Sequence, residues 1–133
     1  MDDVMRGIFP VLQTAVRADG ALDLDSMKKQ VDFCIECGGH GLVFPVLGGE
    51  FQYLSEGERE QLIGVVADAA AGRVPVVAGV AGPSKAIAVE CTKGAVRAGA
   101  DAVVALPPYL AGGTPEEVRD YYEGIAAAAQ RPV

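Results

Sequence analysis

The chain has 133 residues, half of them hydrophobic, and its 11 Lys and Arg against 18 Asp and Glu give a formal net charge of −7. This balance is typical of one globular α/β domain and excludes a disordered chain, a collagen and a coiled coil. The negative charge argues against nucleic acid as a partner, and no apolar run approaches the ~18–20 residues of a membrane helix, so we expect no membrane partner.

The localisation expected from the sequence is cytoplasmic. Residues 1–6 are acidic where a secretory signal would be basic. The three cysteines, without such a signal, indicate a reducing compartment rather than a disulfide framework.

Four short apolar runs alternate with four longer helical patterns. The runs are rich in Val and bounded by Gly or Pro, as expected of strands buried on both faces. They occupy residues 7–14, 41–47, 74–80 and 101–106. Apolar residues at spacings of three and four predict helices over 25–37, 56–71, 84–98 and 115–130. The alternation predicts a parallel sheet with right-handed helical crossovers.

A similar sequence occurs at two places where a helix would lead into the next strand. Residues 69–77 read Ala-Ala-Ala-Gly-Arg-Val-Pro-Val-Val, and residues 127–133 read Ala-Ala-Ala-Gln-Arg-Pro-Val. We interpret the second copy as the place where a fifth strand would begin. Four such units are about half of an eight-unit barrel of ~250 residues. The alternative is a complete four-stranded open sheet whose last residues fray.

Ligands of parallel α/β folds lie at the carboxyl ends of the strands, which directs attention to four loops. Gly48 and Gly49 let the backbone approach a ligand, and their N–H groups precede a helix start, an arrangement that favours a carboxylate. A tight turn without a ligand is the alternative. Tyr109 would offer a hydroxyl or pack as a loop aromatic, and Thr14 would bind an oxyanion or cap the first loop.

Two residue types limit the chemistry. Cys34 and Cys37 have the C-x-x-C spacing with His40 close behind, but they lie in the last turns of a helix, so we expect packing residues and no metal. The lysines at 28, 29, 85 and 93 all fall in helical segments, and none follows a strand into the ligand face. The chain therefore offers no good Schiff-base lysine of its own.

Taken in order and spacing, four stretches resemble the dihydrodipicolinate synthase/N-acetylneuraminate lyase family. They are residues 7–14, the Gly-Gly-Glu loop with 54–59, residues 73–79 and residues 105–109. The resemblance implies the first four β/α units of a (β/α)8 barrel, over residues 1–133. It further implies a lyase that binds pyruvate or a keto-deoxy sugar acid through a lysine Schiff base. Aldol cleavage, condensation and dehydration all occur in this family, with no cofactor and in homo-oligomers, dimeric or tetrameric.

The resemblance also assigns site residues. The family commonly has Gly-Thr-Thr-Gly-Glu where this chain has Val-Leu-Gly-Gly-Glu at 46–50, which leaves carboxylate binding to the amides of Gly48 and Gly49, with Glu50 as a brace. Thr14 and Tyr109 match a family threonine and tyrosine, but a second tyrosine is replaced by Leu110. These departures favour dehydratase-like or uncharacterised branches over the true synthase or neuraminate lyase.

The family's lysine and relay tyrosine belong to later strands, past Val133, so we expect no turnover from these 133 residues alone. Two alternatives remain open at this point. One is a non-catalytic half-barrel that self-associates through its open edges. The other is a small doubly wound domain that binds a phosphate ligand near residues 79–82.

Overall fold

A computed structural model describes residues 5–109 and 113–133. Within them, a parallel sheet of order β1-β2-β3 is flanked by four helices. The elements are α1 Leu24–Glu36, β1 Leu42–Phe44, α2 Glu56–Ala70, β2 Val76–Gly79, α3 Lys85–Arg97, β3 Ala102–Val104 and α4 Pro115–Ala129. The four predicted helices agree with these bounds to within one residue at each end.

Side-chain caps fix where α2 and α4 begin. The Glu58 N–H donates to Ser55 Oγ while Glu58 Oε2 accepts from the Ser55 N–H at 2.8 Å, and Thr114 and Glu117 form the same reciprocal pair. Both pairs are the S/T-x-x-E boxes read from the sequence. The hydrogen bond from Ser55 also holds the pKa of the Glu58 carboxyl below its usual value.

The predicted first strand, residues 7–14, forms a single parallel bridge from Val11 to Val43 rather than a ladder. The Leu12 N–H donates to Val43 O and the Val43 N–H to Pro10 O, each at 3.0 Å. Neighbouring amides are diverted to side chains instead: the Ile8 N–H donates to His40 Nδ1, and the Gln13 N–H donates to a glutamine on α1. The prediction of a full strand over 7–14 is therefore corrected to one short bridged segment. The other three runs contain β1, β2 and β3 in shortened form.

All four helices pack in sequence along one face of the sheet, α1 on α2, α2 on α3 and α3 on α4. Leu42, Phe44 and Val76 point towards this layer and are fully or almost fully buried. On the opposite face, Val11 and Val104 remain 43% and 40% exposed. A sheet covered on one face only is singly wound, so the doubly wound alternative is wrong.

The carboxyl ends of β1 and β2 lie unusually close together. A Cβ built on Gly79 would fall 1.7 Å from the carbonyl oxygen of Pro45. Only a residue without a side chain permits this approach, which brings the loops after the two strands side by side. On the far edge of β3, the Val103 N–H donates to Pro132 O at 3.0 Å, so the chain's last residues run beside that strand.

Candidate active site at the carboxyl ends of the strands

A concave cavity of about 370 Å³ lies at the carboxyl ends of the strands, where the sequence placed the ligand face. Its walls are mostly apolar and include Val11, Val46, Leu47, Phe51, Val104 and Leu106. Gln13 and Gly48 add polar groups. No lysine or arginine of the described residues lines it, which agrees with the placement of the four lysines on helices. This volume suits a small ligand, and the few polar groups would fix its orientation.

Two successive 3₁₀ turns, Leu47–Gly49 and Phe51–Tyr53, form the wall after β1. Glu50 joins them in the left-handed conformation at φ 56°. The Gly49 N–H donates to Val46 O at 2.8 Å and the Glu50 N–H donates to Leu47 O at 3.0 Å. The Gly48 N–H has no acceptor among the described residues, and Gly48 lines the cavity. Of the two amides named from the sequence, the one at Gly49 is used by the turn and the one at Gly48 is not.

The other predicted site residues surround this wall without lining the cavity. Thr14 Oγ1 donates its proton to Gly49 O at 2.5 Å, so the hydroxyl ties the first segment to the turn. Gly49 is buried against Leu12 and Phe44, whereas Glu50 is exposed and its side chain makes no hydrogen bond to any described residue. The structure therefore separates the predicted set into Gly48 at the cavity and Thr14 and Gly49 behind it.

Tyr109 lies after the end of β3, 45% exposed, and packs on the wall residue Phe51 rather than lining the cavity itself. Its ring stands nearly perpendicular to that of Phe51, with centroids 5.9 Å apart and an interplanar angle of 83°. This edge-to-face contact fixes the tyrosine over the cavity wall. Leu110, also named in the sequence analysis, falls outside the described residues.

Arg59, on the first turns of α2, is a charged residue of the site that the sequence did not single out. Its side chain is only 6% exposed, and its Nη2 donates to Gly79 O at 3.2 Å and Ala81 O at 3.0 Å. Both acceptors belong to the cavity wall after β2. The Ser55–Glu58 capping box predicted where the helix begins. Nothing in the sequence indicated that the side chain of Arg59, the next residue, is buried.

Two tyrosines of α4 hold the loops after β2 and β3. The Gly82 N–H donates to Tyr121 Oη at 3.1 Å, Tyr121 Oη lies 3.3 Å from Gly82 O, and Tyr122 Oη donates to Ala105 O at 2.9 Å. Tyr121 is 1% exposed, and burial raises the pKa of its hydroxyl above the usual value. Ala105 lines the cavity, so the half-buried Tyr122 anchors the wall after β3 to the helix layer, while the buried Tyr121 holds the loop after β2.

Outside this site, the titratable side chains of the described residues do not form a second candidate site. Across residues 5–109 and 113–133, no group of three or more His, Cys, Asp and Glu could hold a metal ion. Burial raises the pKa of the Cys34 and Cys91 thiols, so neither is activated as a thiolate. In that same part of the chain, no helix is both long and apolar enough to cross a bilayer.

Comparison with known proteins identifies the family. The profile of the dihydrodipicolinate synthetase family matches residues 4–133. The chain belongs to this family. It is 37% identical over 127 residues to the protein named "Probable 2-dehydro-3-deoxy-D-pentonate aldolase" in Escherichia coli K12. The matched region covers 96% of this chain and 42% of that protein. It is 45% identical over 121 residues to "Probable 5-dehydro-4-deoxyglucarate dehydratase 1" of Streptomyces avermitilis, 90% of this chain and 37% of that one.

A solved structure gives the same answer for the fold. A prophage protein of the dihydrodipicolinic acid synthase family from E. coli K12, crystallised with pyruvate, superposes with a TM-score of 0.94 at 33% identity, over 98% of this chain and 44% of its own. The three parallel strands and their helices are the N-terminal part of a TIM barrel. The chain spans about two fifths of the length of these family members, which are lyases: aldolases, dehydratases and synthases.

Proposed function

We propose that this chain is the part of a 2-keto-acid lyase that holds the substrate carboxylate. The observation that carries the proposal is the Gly48 N–H, which has no acceptor among the described residues and lies on a cavity of about 370 Å³. Pyruvate occupies a structure of the family to which this chain superposes with a TM-score of 0.94. Gln13 lines the same cavity and supplies a second polar contact.

The roles of the remaining residues follow from their contacts. The hydroxyl of Thr14 holds the turn through Gly49 O, so it orients the Gly48 amide rather than contacting the substrate. Tyr109 stands at the rim, where its hydroxyl would exchange a proton with the substrate. Glu50 joins the two turns in the left-handed conformation. These assignments refine those made from the sequence.

The chemistry proposed for the whole enzyme is that of a class I aldolase or hydro-lyase. A lysine amine condenses with the C2 carbonyl of the keto acid, and water leaves as the iminium forms. The iminium then accepts the electron pair of the bond that breaks, whether that bond is carbon–carbon or the carbon–hydrogen bond broken before loss of hydroxide. No lysine of the described residues lines the cavity, so we propose that the chain by itself has no turnover.

We further propose that the enzyme is cytoplasmic and a homo-oligomer, uses no cofactor, and acts on pyruvate or a keto-deoxy sugar acid. An alternative is favoured by one observation: Val11 and Val104 leave an apolar face of the sheet exposed. Such a face favours association, and a non-catalytic half-barrel that pairs with itself would cover it. A dimer by sedimentation whose amide resonances do not respond to pyruvate would favour this alternative over the keto-acid site.

Titration with pyruvate, followed by amide NMR, tests the carboxylate site. We expect the Gly48 resonance to shift with pyruvate and to shift much less with pyruvamide, which has the same carbonyl but no charge. Gly48→Ala places a methyl group 3.2 Å from Val11 Cγ1 and should weaken binding, whereas the control Gly57→Ala meets no atom within 4 Å. Equal responses to pyruvate and pyruvamide, or shifts confined to residues away from the cavity, would overturn the proposal.

A further inference from the structure

Arg59 is a buried charge whose hydrogen bonds and cation–π contact all lead to the candidate site. Arg59 is only 6% exposed, and burying a guanidinium is costly unless its donors are satisfied, since arginine retains its charge in proteins. No carboxylate is bonded to it, its Nε has no partner among the described residues, and its two hydrogen bonds go to main-chain carbonyls. The fold thus keeps an incompletely paired cation at this position.

The two carbonyls are those of Gly79 and Ala81, at the point where β2 ends and its loop begins. Both residues line the cavity, although Arg59 does not. One nitrogen, Nη2, serves both acceptors, at 3.2 and 3.0 Å. A single planar group therefore fixes the spacing of two carbonyls two residues apart, which a flexible lysine ammonium would do less well.

The guanidinium also contacts the aromatic pair at the rim. Its central carbon lies 5.0 Å from the centroid of the Phe51 ring, a cation–π distance. Phe51 is 4% exposed, and its ring contacts that of Tyr109 edge to face. Arg59, Phe51 and Tyr109 thus form a continuous stack, which we call the rim stack, from α2 through the cavity-wall residue Phe51 to Tyr109.

We propose that Arg59 is a positioning residue of the keto-acid site: through the rim stack it seats Tyr109 against the cavity wall at Phe51, and through Gly79 and Ala81 it fixes the wall after β2. The inference rests on the proposed function for its ligand, but its geometric part concerns Tyr109 alone. A merely structural arginine would stabilise the fold without affecting the environment of that ring. The positioning role requires the ring to change its environment when Arg59 is replaced.

The test uses the 133-residue chain labelled with 3-fluorotyrosine. The chain has four tyrosines, so Tyr109→Phe assigns the signal of Tyr109. Arg59→Met is compared with Arg97→Met, in which an arginine of the adjacent helix loses only an exposed ion pair with Glu60. We expect Arg59→Met to move the Tyr109 fluorine signal towards that of free tyrosine and to weaken pyruvate binding about tenfold, since small displacements of positioning groups have effects of this order or larger. Arg97→Met should change neither.

Two further variants keep the proposal testable if Arg59→Met fails to fold. Arg59→Lys retains the charge without the planar fork, and Phe51→Leu breaks the rim stack while sparing both carbonyl bonds; each should move the Tyr109 signal. An unmoved Tyr109 signal and unchanged pyruvate affinity in a folded Arg59 variant would overturn the positioning role. Absence of pyruvate binding in the unmodified chain would count against the proposed function instead, and the Tyr109 signal would still decide the role of Arg59.

Discussion

The close approach at Gly79 makes a quantitative prediction about the site's architecture. In Gly79→Ala the new methyl carbon would start 1.7 Å from Pro45 O and 2.7 Å from the Pro45 carbonyl carbon. Neither atom is a flexible side-chain end that can rotate away. To regain an ordinary contact distance of about 3.5 Å, the loop after β1 and the end of β2 must separate by well over 1 Å.

The free-energy cost of that separation depends on the contacts next to Gly79 that it would disrupt. Phe44 pairs with Ala78 in the ladder just before the contact, so the strands cannot part there without disrupting the ladder, and a displaced Gly79 would also disturb the hydrogen bond that its carbonyl accepts from Arg59. Overpacking costs typically about 1–3 kcal/mol, and we expect Gly79→Ala to lie at or above the upper end of this range. That is a large fraction of the ~5–15 kcal/mol by which a domain is stable.

Urea unfolding followed by far-UV circular dichroism measures the effect. Gly64→Ala is the matched control, because its methyl group would lie 4.0 Å from Ala98 Cβ, in ordinary contact, in the interior of α2. It should stabilise the protein by up to about 1 kcal/mol through helix propensity. A Gly79→Ala protein that unfolds at the same urea concentration as the unmodified chain would refute the reasoning.

Two further predictions concern α4 and the absent nucleophile. Tyr121→Phe leaves the buried Gly82 N–H without its acceptor and should cost about 1–3 kcal/mol in urea unfolding at pH 7. Because burial raises the pKa of Tyr121, an unfolded chain ionises near pH 10 while the folded one stays neutral; stability should therefore fall as the pH rises above about 10, less steeply in Tyr121→Phe. Incubation with pyruvate and borohydride should leave the intact mass of the chain unchanged, and a lysine-linked pyruvate adduct would contradict the proposed absence of a nucleophile.

The helices could be predicted closely because their signals are local. Ser55 with Glu58 and Thr114 with Glu117 cap their helices within four residues, so the chain need not be folded for the pattern to be recognised. The strand positions could be predicted as apolar runs, but not their pairing. Whether residues 7–14 form a full strand depended on His40 and Gln30, which are distant in sequence. Their side chains accept hydrogen bonds from backbone N–H groups that a regular ladder would have used.

The residues of the candidate site likewise divide into those that the sequence could predict and those that it could not. Gly48 could be predicted, since a glycine after a buried strand marks a backbone approach, and the structure places it at the cavity. The commitment of the Gly49 amide to Val46 and of the Thr14 hydroxyl to Gly49 could not, because both depend on the turn's conformation. Arg59 carries no sequence signal, since its partners are carbonyls 20 and 22 residues away whose identity as acceptors is set by the fold.

The most direct measurement for the central claim is the position of pyruvate in a crystal of this chain. The account predicts a carboxylate oxygen within about 3 Å of the Gly48 nitrogen, in the cavity between the ends of β1 and β3, at the distance of an N–H···O hydrogen bond. Pyruvate bound instead in the separate cavity of about 130 Å³ between α2 and α3, beside Glu56 and Cys91, would contradict it.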